Sequence, residues 1–439
     1  MIRVIDHYAV RLIFVISIIF SAQVLASPDI EHWKTGDGAR VYFVEAMELP
    51  MVDIHIIFDA GSARDGEQAG LANFTATLLS DGAGGLNSDT IAKRFSEIGA
   101  RFGAGVDRDM TTVTLRTLIG DEYMKPALAL FNTLLTKPDF PEQDIERERQ
   151  RILIGLQQEE QSPGSIVDRT FYKKLYGTHP YATPPNGTSA SIKTITRDMI
   201  QSFHAKYYVS GNAVIAITGA VSKNEARKIA EQITEGLAKG SAAENIPVVS
   251  ALEKAGVENI AHPSTQTHVR MGQPGVKRGD PDYFALYVGN HVLGGSGLVS
   301  RLSDEVREKR AMSYSVYSYF IPQREYGAFT IGLQTKNDQT SEAIDVVKTV
   351  LQDYIEHGPT KEELVSSKKN ITGGFPLNIA SNSKIIGYIS MIGFYGLPLD
   401  YLDRFNDNIN SVTIEQIQEA FKRRLDIGKM VTVTVGGQQ

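Results

Sequence analysis

The chain has 439 residues, of which 42% are hydrophobic and 22% are charged, and this ordinary globular composition excludes collagen-like, disordered and multi-span membrane proteins. Its net charge is −6, and a mildly acidic chain without basic clusters does not fit nucleic-acid binding. The chain contains no cysteine, which excludes disulfides, cysteine-ligated metals and thiolate nucleophiles.

Residues 1–26 have the pattern of a secretory signal peptide. Arg3 and Arg11 precede an apolar run from Leu12 to Ala26, and the small residue Ala26 suits a cleavage site. A membrane anchor is the alternative, but the run is shorter than the roughly 20 residues that span a bilayer. We therefore expect cleavage, a mature chain without membrane attachment, and a location in the bacterial periplasm, which a chain without cysteines fits.

An internal repeat organises the rest of the chain. Residues 192–219 align without a gap with residues 409–436, and the matched positions are Thr196 with Thr413, Ile200 with Ile417, Gln201 with Gln418, Gly211 with Gly428, and Gly219 with Gly436. In each copy a threonine predicts the N-cap of an amphipathic helix, a glycine ends the turn, and a β-branched run predicts a strand. Residues 127–152 and 343–371, which precede the copies, both have the pattern of a helix, a proline-containing turn and a charged helix.

This repeat predicts two homologous α+β domains. The Gly-, Ala- and Ser-rich stretch 236–256 is the expected junction, so we place the domains at 27–245 and 246–439. The alternative is a chance similarity between two helix–turn–strand units.

Several segments resemble the pitrilysin, or insulinase-like, peptidase family in their order and spacing. They are AGSARDGEQAGLANFTATLLSDG at 60–82, HPY at 179–181, SRLSDEVREKRAMSYSVYS at 300–318, GFPL at 374–377 and IGFYGLPLDYLD at 392–403. The resemblance runs from about residue 35 to the C-terminus. It implies a processing-peptidase-like α+β fold, in which each of two domains has a mainly antiparallel sheet packed with helices. In the family, each unit is a pair of such domains. Two of these units face each other and enclose a chamber.

The metal motif of that family is degenerate in this chain. Active members carry H-x-x-E-H on a helix, where the two His bind zinc and the Glu is the general base. Here Asn73 replaces the first ligand, Ala76 the base and Thr77 the second ligand, while the later carboxylate ligand falls at Ile154 or Gly155. The resemblance therefore implies no zinc and no other cofactor in this chain.

Other residues do not rebuild the site. No two of the nine histidines are three or four residues apart, so no helical pair of them can chelate a metal, and Glu159 and Glu160 are expected at a solvated helix end. Gly103 takes the place of the Asn in an Asn-Ala-x-Thr run that lies beside the metal in the family. A glycine-rich strand there can admit a peptide backbone, or it can simply be a weak strand.

The second domain keeps the other half of the family's site. Arg307 and Tyr314 match an Arg and a Tyr, seven residues apart, that reach in the family towards the substrate carbonyl. A guanidinium and a phenol hydroxyl can donate hydrogen bonds to the charge that develops on that oxygen. The alternatives are a surface ion pair for Arg307 and packing for Tyr314. Before them lies a stretch similar to the family's substrate-touching glycine loop, or else a flexible helix entry: Gly294, Gly295 and Gly297.

These patterns favour the non-zinc subunit of a periplasmic heterodimeric zinc metallopeptidase. Its partner would be a homologous chain with an intact H-x-x-E-H motif and a bound zinc, and its substrate would be a peptide. The alternative is a non-enzymatic peptide-binding or scaffold protein of the same fold. An independently active hydrolase is disfavoured because the chain has no G-x-S-x-G nucleophile motif.

Overall fold

Two β-sheets organise the protein, one in each half of the chain. The computed structural model describes residues 28–437, so the signal peptide predicted for residues 1–26 lies outside the described residues. The strands of the first half are β1 (Glu31–Lys34), β2 (Arg40–Glu45), β3 (Met51–Phe58), β4 (Gly82–Ala83), β5 (Leu86–Asn87), β6 (Arg101–Val106), β7 (Thr111–Leu118) and β8 (Ala213–Gly219). The strands of the second half are β9 (Gly256–Ile260), β10 (Gln266–Pro274), β11 (Val316–Phe320), β12 (Ala328–Lys336) and β13 (Val431–Val435).

The two sheets share one strand arrangement. The first has the order β1-β2-β8-β3-β7-β6 and the second the order β11-β12-β10-β13-β9, while β4 and β5 form a separate hairpin. Strand β8 runs parallel to β2 and antiparallel to β3. In the same way β13 runs parallel to β9 and antiparallel to β10. All other neighbours are antiparallel, so the predicted fold of two homologous, mainly antiparallel α+β domains is confirmed.

Helices cover the sheets. Those of the first half are α1 (Leu71–Thr77), α2 (Ser88–Glu97), α3 (Asp121–Thr136), α4 (Glu142–Gln161), α5 (Pro163–Tyr176), α6 (Ser189–Thr194), α7 (Arg197–Tyr207) and α8 (Lys223–Thr234). Those of the second half are α9 (Tyr283–Asn290), α10 (Thr340–His357), α11 (Lys361–Asn378), α12 (Asn382–Tyr395), α13 (Phe405–Ser411) and α14 (Ile414–Arg424). Between residues 28 and 437, no helix has the length and apolarity that crossing a membrane requires.

The repeated units adopt the predicted local structure. The side chain of Thr196 accepts a hydrogen bond from the backbone N–H of Met199 and caps α7, and the side chain of Thr413 caps α14 in the same way. Each unit ends on a glycine with positive φ, 150° at Gly219 and 154° at Gly436. A Cβ at Gly219 would lie 2.3 Å from the carbonyl oxygen of Met51, so this backbone contact requires glycine.

The two halves exchange helices, which the sequence did not indicate. Helix α5, from the first half, packs on β10 and β13 of the second sheet, while α12, from the second half, packs on β8, β3 and β2 of the first. The α12 contact is tight, because a Cβ at Gly393 would lie 2.7 Å from both Tyr42 and Val214. The predicted junction coincides with residues 235–255, which contain neither helix nor strand, and the boundary at residue 245 stays a prediction.

Candidate functional site

A buried carboxylate holds the helix that carries the degenerate metal motif. Asp65 accepts hydrogen bonds from the backbone N–H groups of Gly70, at 2.7 Å, and Ala72, at 2.8 Å. N–H groups at the start of a helix have no partner within the helix, so this carboxylate satisfies two of them at α1. Burial raises the pKa of Asp65 to about 7, although the two N–H donors act in the opposite direction. The N-terminus of α1 is therefore stabilised by a side chain outside the helix.

The motif positions on α1 offer no metal ligands. Asn73 is half-buried, Ala76 is buried, and the hydroxyl of Thr77 donates to the carbonyl oxygen of Asn73 at 2.9 Å. None of the three supplies the imidazole or carboxylate that zinc sites use, so the residues present do not fit zinc. At the position of the later ligand, Ile154 on α4 is 58% exposed and Gly155 has no side chain.

The two carboxylates at the end of α4 contact a neighbouring segment. Glu159 accepts a hydrogen bond from Asn186 Nδ2 at 2.8 Å, and Glu160 accepts one from Ser189 Oγ at 3.1 Å. Within residues 28–437, no group of three or more His, Asp or Glu side chains is arranged to hold a metal ion.

Strand β6, which carries Gly103, lies at the edge of the first sheet and packs beside α1. Gly103 faces Thr114 on β7, and a Cβ at Gly103 would lie 2.9 Å from Thr114 Oγ1. A side chain at this position would therefore crowd the threonine of the neighbouring strand. The other side of β6 is not paired with any strand of residues 28–437, so its N–H and C=O groups are available to an added strand.

Arg307 lies on an unusual helical turn in the second domain. Residues Ser303–Glu308 form a π-helix, a rare conformation that occurs frequently at functional sites. Arg307 Nε lies 3.5 Å from Glu308 Oε1, the adjacent residue, and the Arg307 side chain remains 32% exposed. Asp304 and Glu305 pair instead with Lys309, and Glu305 also with Arg310. The ion pair of Arg307 is thus confined to its neighbour in sequence.

Tyr314 projects into solvent. It lies two residues before β11 begins, and it is 87% exposed. Its hydroxyl makes no hydrogen bond to any part of the described chain, residues 28–437. Packing, the alternative explanation for this tyrosine, therefore does not account for it.

The glycine loop begins on a second π-helix, His291–Gly295, and ends on a short 3₁₀ turn, Gly297–Val299. A Cβ at Gly294 would lie 2.4 Å from Ser318 Oγ, and a Cβ at Gly295 would lie 2.9 Å from Asn290 Nδ2, so close packing explains both glycines. Gly297 has a φ of 66° and open space around it.

Sequence reasoning missed two apolar residues at the tip of this loop. Leu298 is 63% exposed and Val299 is 84% exposed. The available signal was an apolar pair placed directly after a Gly-Ser-Gly run. The loop packs against both the Arg307 helix and β11, so the structure groups the glycine loop, Arg307 and the start of β11 on the second domain. On the first domain, α1, which carries the degenerate motif, packs beside β6, which carries Gly103.

Known proteins resemble this chain in sequence and fold. Residues 40–189 match the model of the insulinase family, peptidase family M16, and residues 194–371 match the model of the M16 peptidase inactive domain. A crystal structure of an M16 inactive domain from Pseudomonas fluorescens is 40% identical, covers 94% of this chain and 99% of its own, and superposes with a TM-score of 0.90. The chain belongs to peptidase family M16. The resemblance seen in the sequence is confirmed.

Further relatives match over most of the chain. The non-peptidase homologue YmxG of Helicobacter pylori is 26% identical over 404 residues, which are 91% of this chain and 92% of that protein. The uncharacterised zinc protease YmxG of Bacillus subtilis is also 26% identical, over 88% of this chain and 94% of its own. A solved protease from Helicobacter pylori, 19% identical, shares the fold with a TM-score of 0.86 over 94% of this chain and 100% of that one.

Proposed function

We propose that this M16 protein is inactive by itself and acts as the non-zinc subunit of a periplasmic heterodimeric zinc peptidase. One contrast carries the proposal. The metal positions Asn73, Ala76 and Thr77 hold no ligand, whereas Tyr314 and Arg307 remain at the family spacing, with the tyrosine 87% exposed and the arginine partly exposed. This exposure leaves the tyrosine hydroxyl accessible to a partner or a ligand.

The two side chains suit one chemical task. The Arg307 guanidinium and the Tyr314 hydroxyl are hydrogen-bond donors, and a peptide carbonyl oxygen is an acceptor. When water attacks that carbonyl, negative charge grows on the oxygen, so donors placed there bind the transition state more strongly than the substrate. Zinc and the general base would come from the partner subunit, because residues 73–77 supply neither.

The partner would be a homologous chain with an intact H-x-x-E-H motif, and the substrate would be a peptide. A signal-peptide-like leader and the lack of cysteine support the periplasm. The open edge of β6 supports a second candidate, a peptide-binding scaffold without hydrolysis, since an extended peptide can add to such an edge by backbone hydrogen bonds.

Co-expression tests the proposal. This chain and a periplasmic H-x-x-E-H homologue from the same genome should co-purify as a 1:1 complex that cleaves unstructured peptides, while this chain alone should cleave none. A matched control pairs the partner with a chain carrying both Arg307→Ala and Tyr314→Phe, which should assemble equally well. Separate elution of the two chains at micromolar concentration contradicts the heterodimer and leaves the scaffold as the better account.

A further inference from the structure

A small cavity in the second domain contains an arginine without an anionic partner. Arg278 lies between β10 and α9, and it lines both a cavity of about 250 Å³ and an adjacent cavity. Its Nε atom is buried and makes no hydrogen bond. Between residues 28 and 437, no carboxylate forms an ion pair with this guanidinium. A partly buried cation without a partner is costly, so the site is poised for an anion.

The acidic residues nearest in sequence are already paired elsewhere. Asp280 accepts from Arg424 at 2.8 Å, and Asp282 accepts from Arg423 at 2.7 Å and from Arg424 at 2.8 Å. These two carboxylates lie only two and four positions after Arg278, yet they bind the end of α14. The positive charge of Arg278 is therefore left unbalanced by its neighbours.

The amide and imidazole groups of the cavity wall are also occupied. Asn290 Nδ2 donates to the carbonyl oxygen of Ser318 at 2.8 Å. His291 Nδ1 lies 2.9 Å from the hydroxyl of Ser367, and burial lowers the pKa of this histidine, which favours its neutral form. Arg278 is thus the charged group that this cavity offers to a ligand.

The rest of the wall is aromatic and apolar. Tyr283 and Tyr287 stack with ring centres 5.8 Å apart, and the Arg278 guanidinium carbon lies 5.9 Å from the centre of the Tyr283 ring. The remaining side chains of the wall include Val276, Leu286, Phe320 and Pro322. Such walls exclude water, which strengthens an ion pair formed between them.

We propose that this cavity binds the C-terminal residue of a peptide, with its carboxylate on Arg278 and its apolar side chain against the apolar wall. A guanidinium offers a planar pair of donors that matches a carboxylate. The cavity is smaller than the roughly 300–1,000 Å³ of sites for drug-sized ligands, so it suits a single residue. Within a peptide, only the C-terminal residue carries a carboxylate and an apolar side chain on the same Cα atom.

The cavity also adjoins the glycine loop, because Gly295 forms part of its wall. The inference deepens the proposed function by naming a class of peptide, and it rests on that function for its purpose. Binding itself requires neither zinc nor a partner, so the test uses this chain alone. Failure of the heterodimer would leave the result of the test unchanged.

Fluorescence anisotropy with the purified mature chain provides the test. The probe is fluorescein-labelled Gly-Ala-Leu with a free carboxylate, compared with the same peptide as its C-terminal amide. Loss of one charge-assisted pair should weaken binding about tenfold or more for the amide. Arg278→Gln should weaken the free acid by a similar factor, and Arg278→Lys by less. Arg404→Gln is the matched control, because Arg404 lies 3.8 Å from Asp400 and lines only the adjacent cavity, whereas Arg278 lines both.

Equal affinity for acid and amide, or no saturable binding of the acid, overturns the proposal, and neither result depends on the folding of a variant. An amidated peptide with an internal Glu should bind as weakly as the Leu amide. If it binds as well as the free acid, the site reads any carboxylate and the assignment to a chain end is wrong. An equal loss in Arg404→Gln places the ligand in the adjacent cavity and also contradicts the proposal.

Discussion

The two regions that correspond to the family's active site differ in how their polar groups are satisfied. On α1, Thr77 bonds within its own helix and Asp65 bonds the helix start, so both groups have partners inside the first domain. In the second domain, Tyr314 stands in solvent and Arg307 pairs only with the adjacent Glu308. The polar groups of the first region are thus bonded within their own domain, whereas the hydrogen-bond donors of Tyr314 and Arg307 remain accessible.

This difference separates residues that we expect to affect stability from residues that we expect to affect activity. A motif that has lost its chemistry is retained when its helix is needed for packing, and α1 packs on α7 and β6. Exposed donors contribute little to stability, since surface ion pairs are worth about 0–1 kcal/mol. The proposed function assigns them to binding a substrate. The comparison therefore predicts that mutations in the first region change stability and that mutations in the second change activity.

The largest expected effect on stability is at Asp65. Asp65→Ala removes a buried acceptor from two backbone N–H groups, and each buried donor left without a partner costs about 1–3 kcal/mol. We expect the free energy of unfolding to fall by about 3 kcal/mol in chemical denaturation. Asp139→Ala is the matched control, because Asp139 accepts one backbone N–H, from Gly85, on an exposed turn, and it should cost less. Equal losses would show that Asp65 is not the support of α1.

A smaller loss of stability is expected at low pH, at the contact between the two halves. His55 on β3 lies 3.0 Å from the hydroxyl of Ser390 on α12, and burial lowers its pKa to about 4. Since the unfolded chain binds this proton near pH 6.5, stability is lost as the pH falls from about 6.5 to about 4. We expect a loss of roughly 1–3 kcal/mol from this residue. His55→Asn should reduce the pH dependence of unfolding over that window, while the buried His204, whose pKa is also lowered to about 4, keeps its own contribution. An unchanged slope would contradict the role of His55.

The smallest effects should come from the motif residues themselves. In the described part of the chain, Asn73→Ala and Thr77→Val remove no side-chain hydrogen bond to a residue outside α1, so each should change the free energy of unfolding by less than about 1 kcal/mol. Elemental analysis of the mature chain should find no stoichiometric zinc in the wild type or in either variant, because these positions hold no ligand. One tightly bound zinc per wild-type chain would contradict the conclusion that the first region does not fit a metal ion.

Much of the fold could be predicted because it depends on local signals. Thr196 and Thr413 are helix caps within a few residues of the groups that they bind, and the β-branched runs that follow form β8 and β13. The exchange of α5 and α12 could not be predicted in this way. An amphipathic pattern shows that a helix has a buried face, but both sheets offer an apolar surface, and the sequence does not say which one the helix covers.

The candidate site was predictable to a similar extent. The spacing of Arg307 and Tyr314 is visible in the sequence, whereas the exposure of Tyr314 depends on where the chain turns before β11. The unpaired state of Arg278 could not be predicted, because carboxylates lie close to it in sequence. Arg423 and Arg424, about 145 positions away, take both of them.

Peptide turnover by the complex with an H-x-x-E-H partner tests the central claim most directly. Arg307→Ala should lower turnover by about 10²–10³-fold, the cost of a lost transition-state donor, and Tyr314→Phe should lower it less, with assembly and zinc content unchanged in both. Arg310→Ala, which removes an adjacent arginine paired with Glu305, should leave turnover near the wild-type value. Near-wild-type turnover in both Arg307→Ala and Tyr314→Phe would contradict the account and favour a scaffold that has kept only the family's architecture.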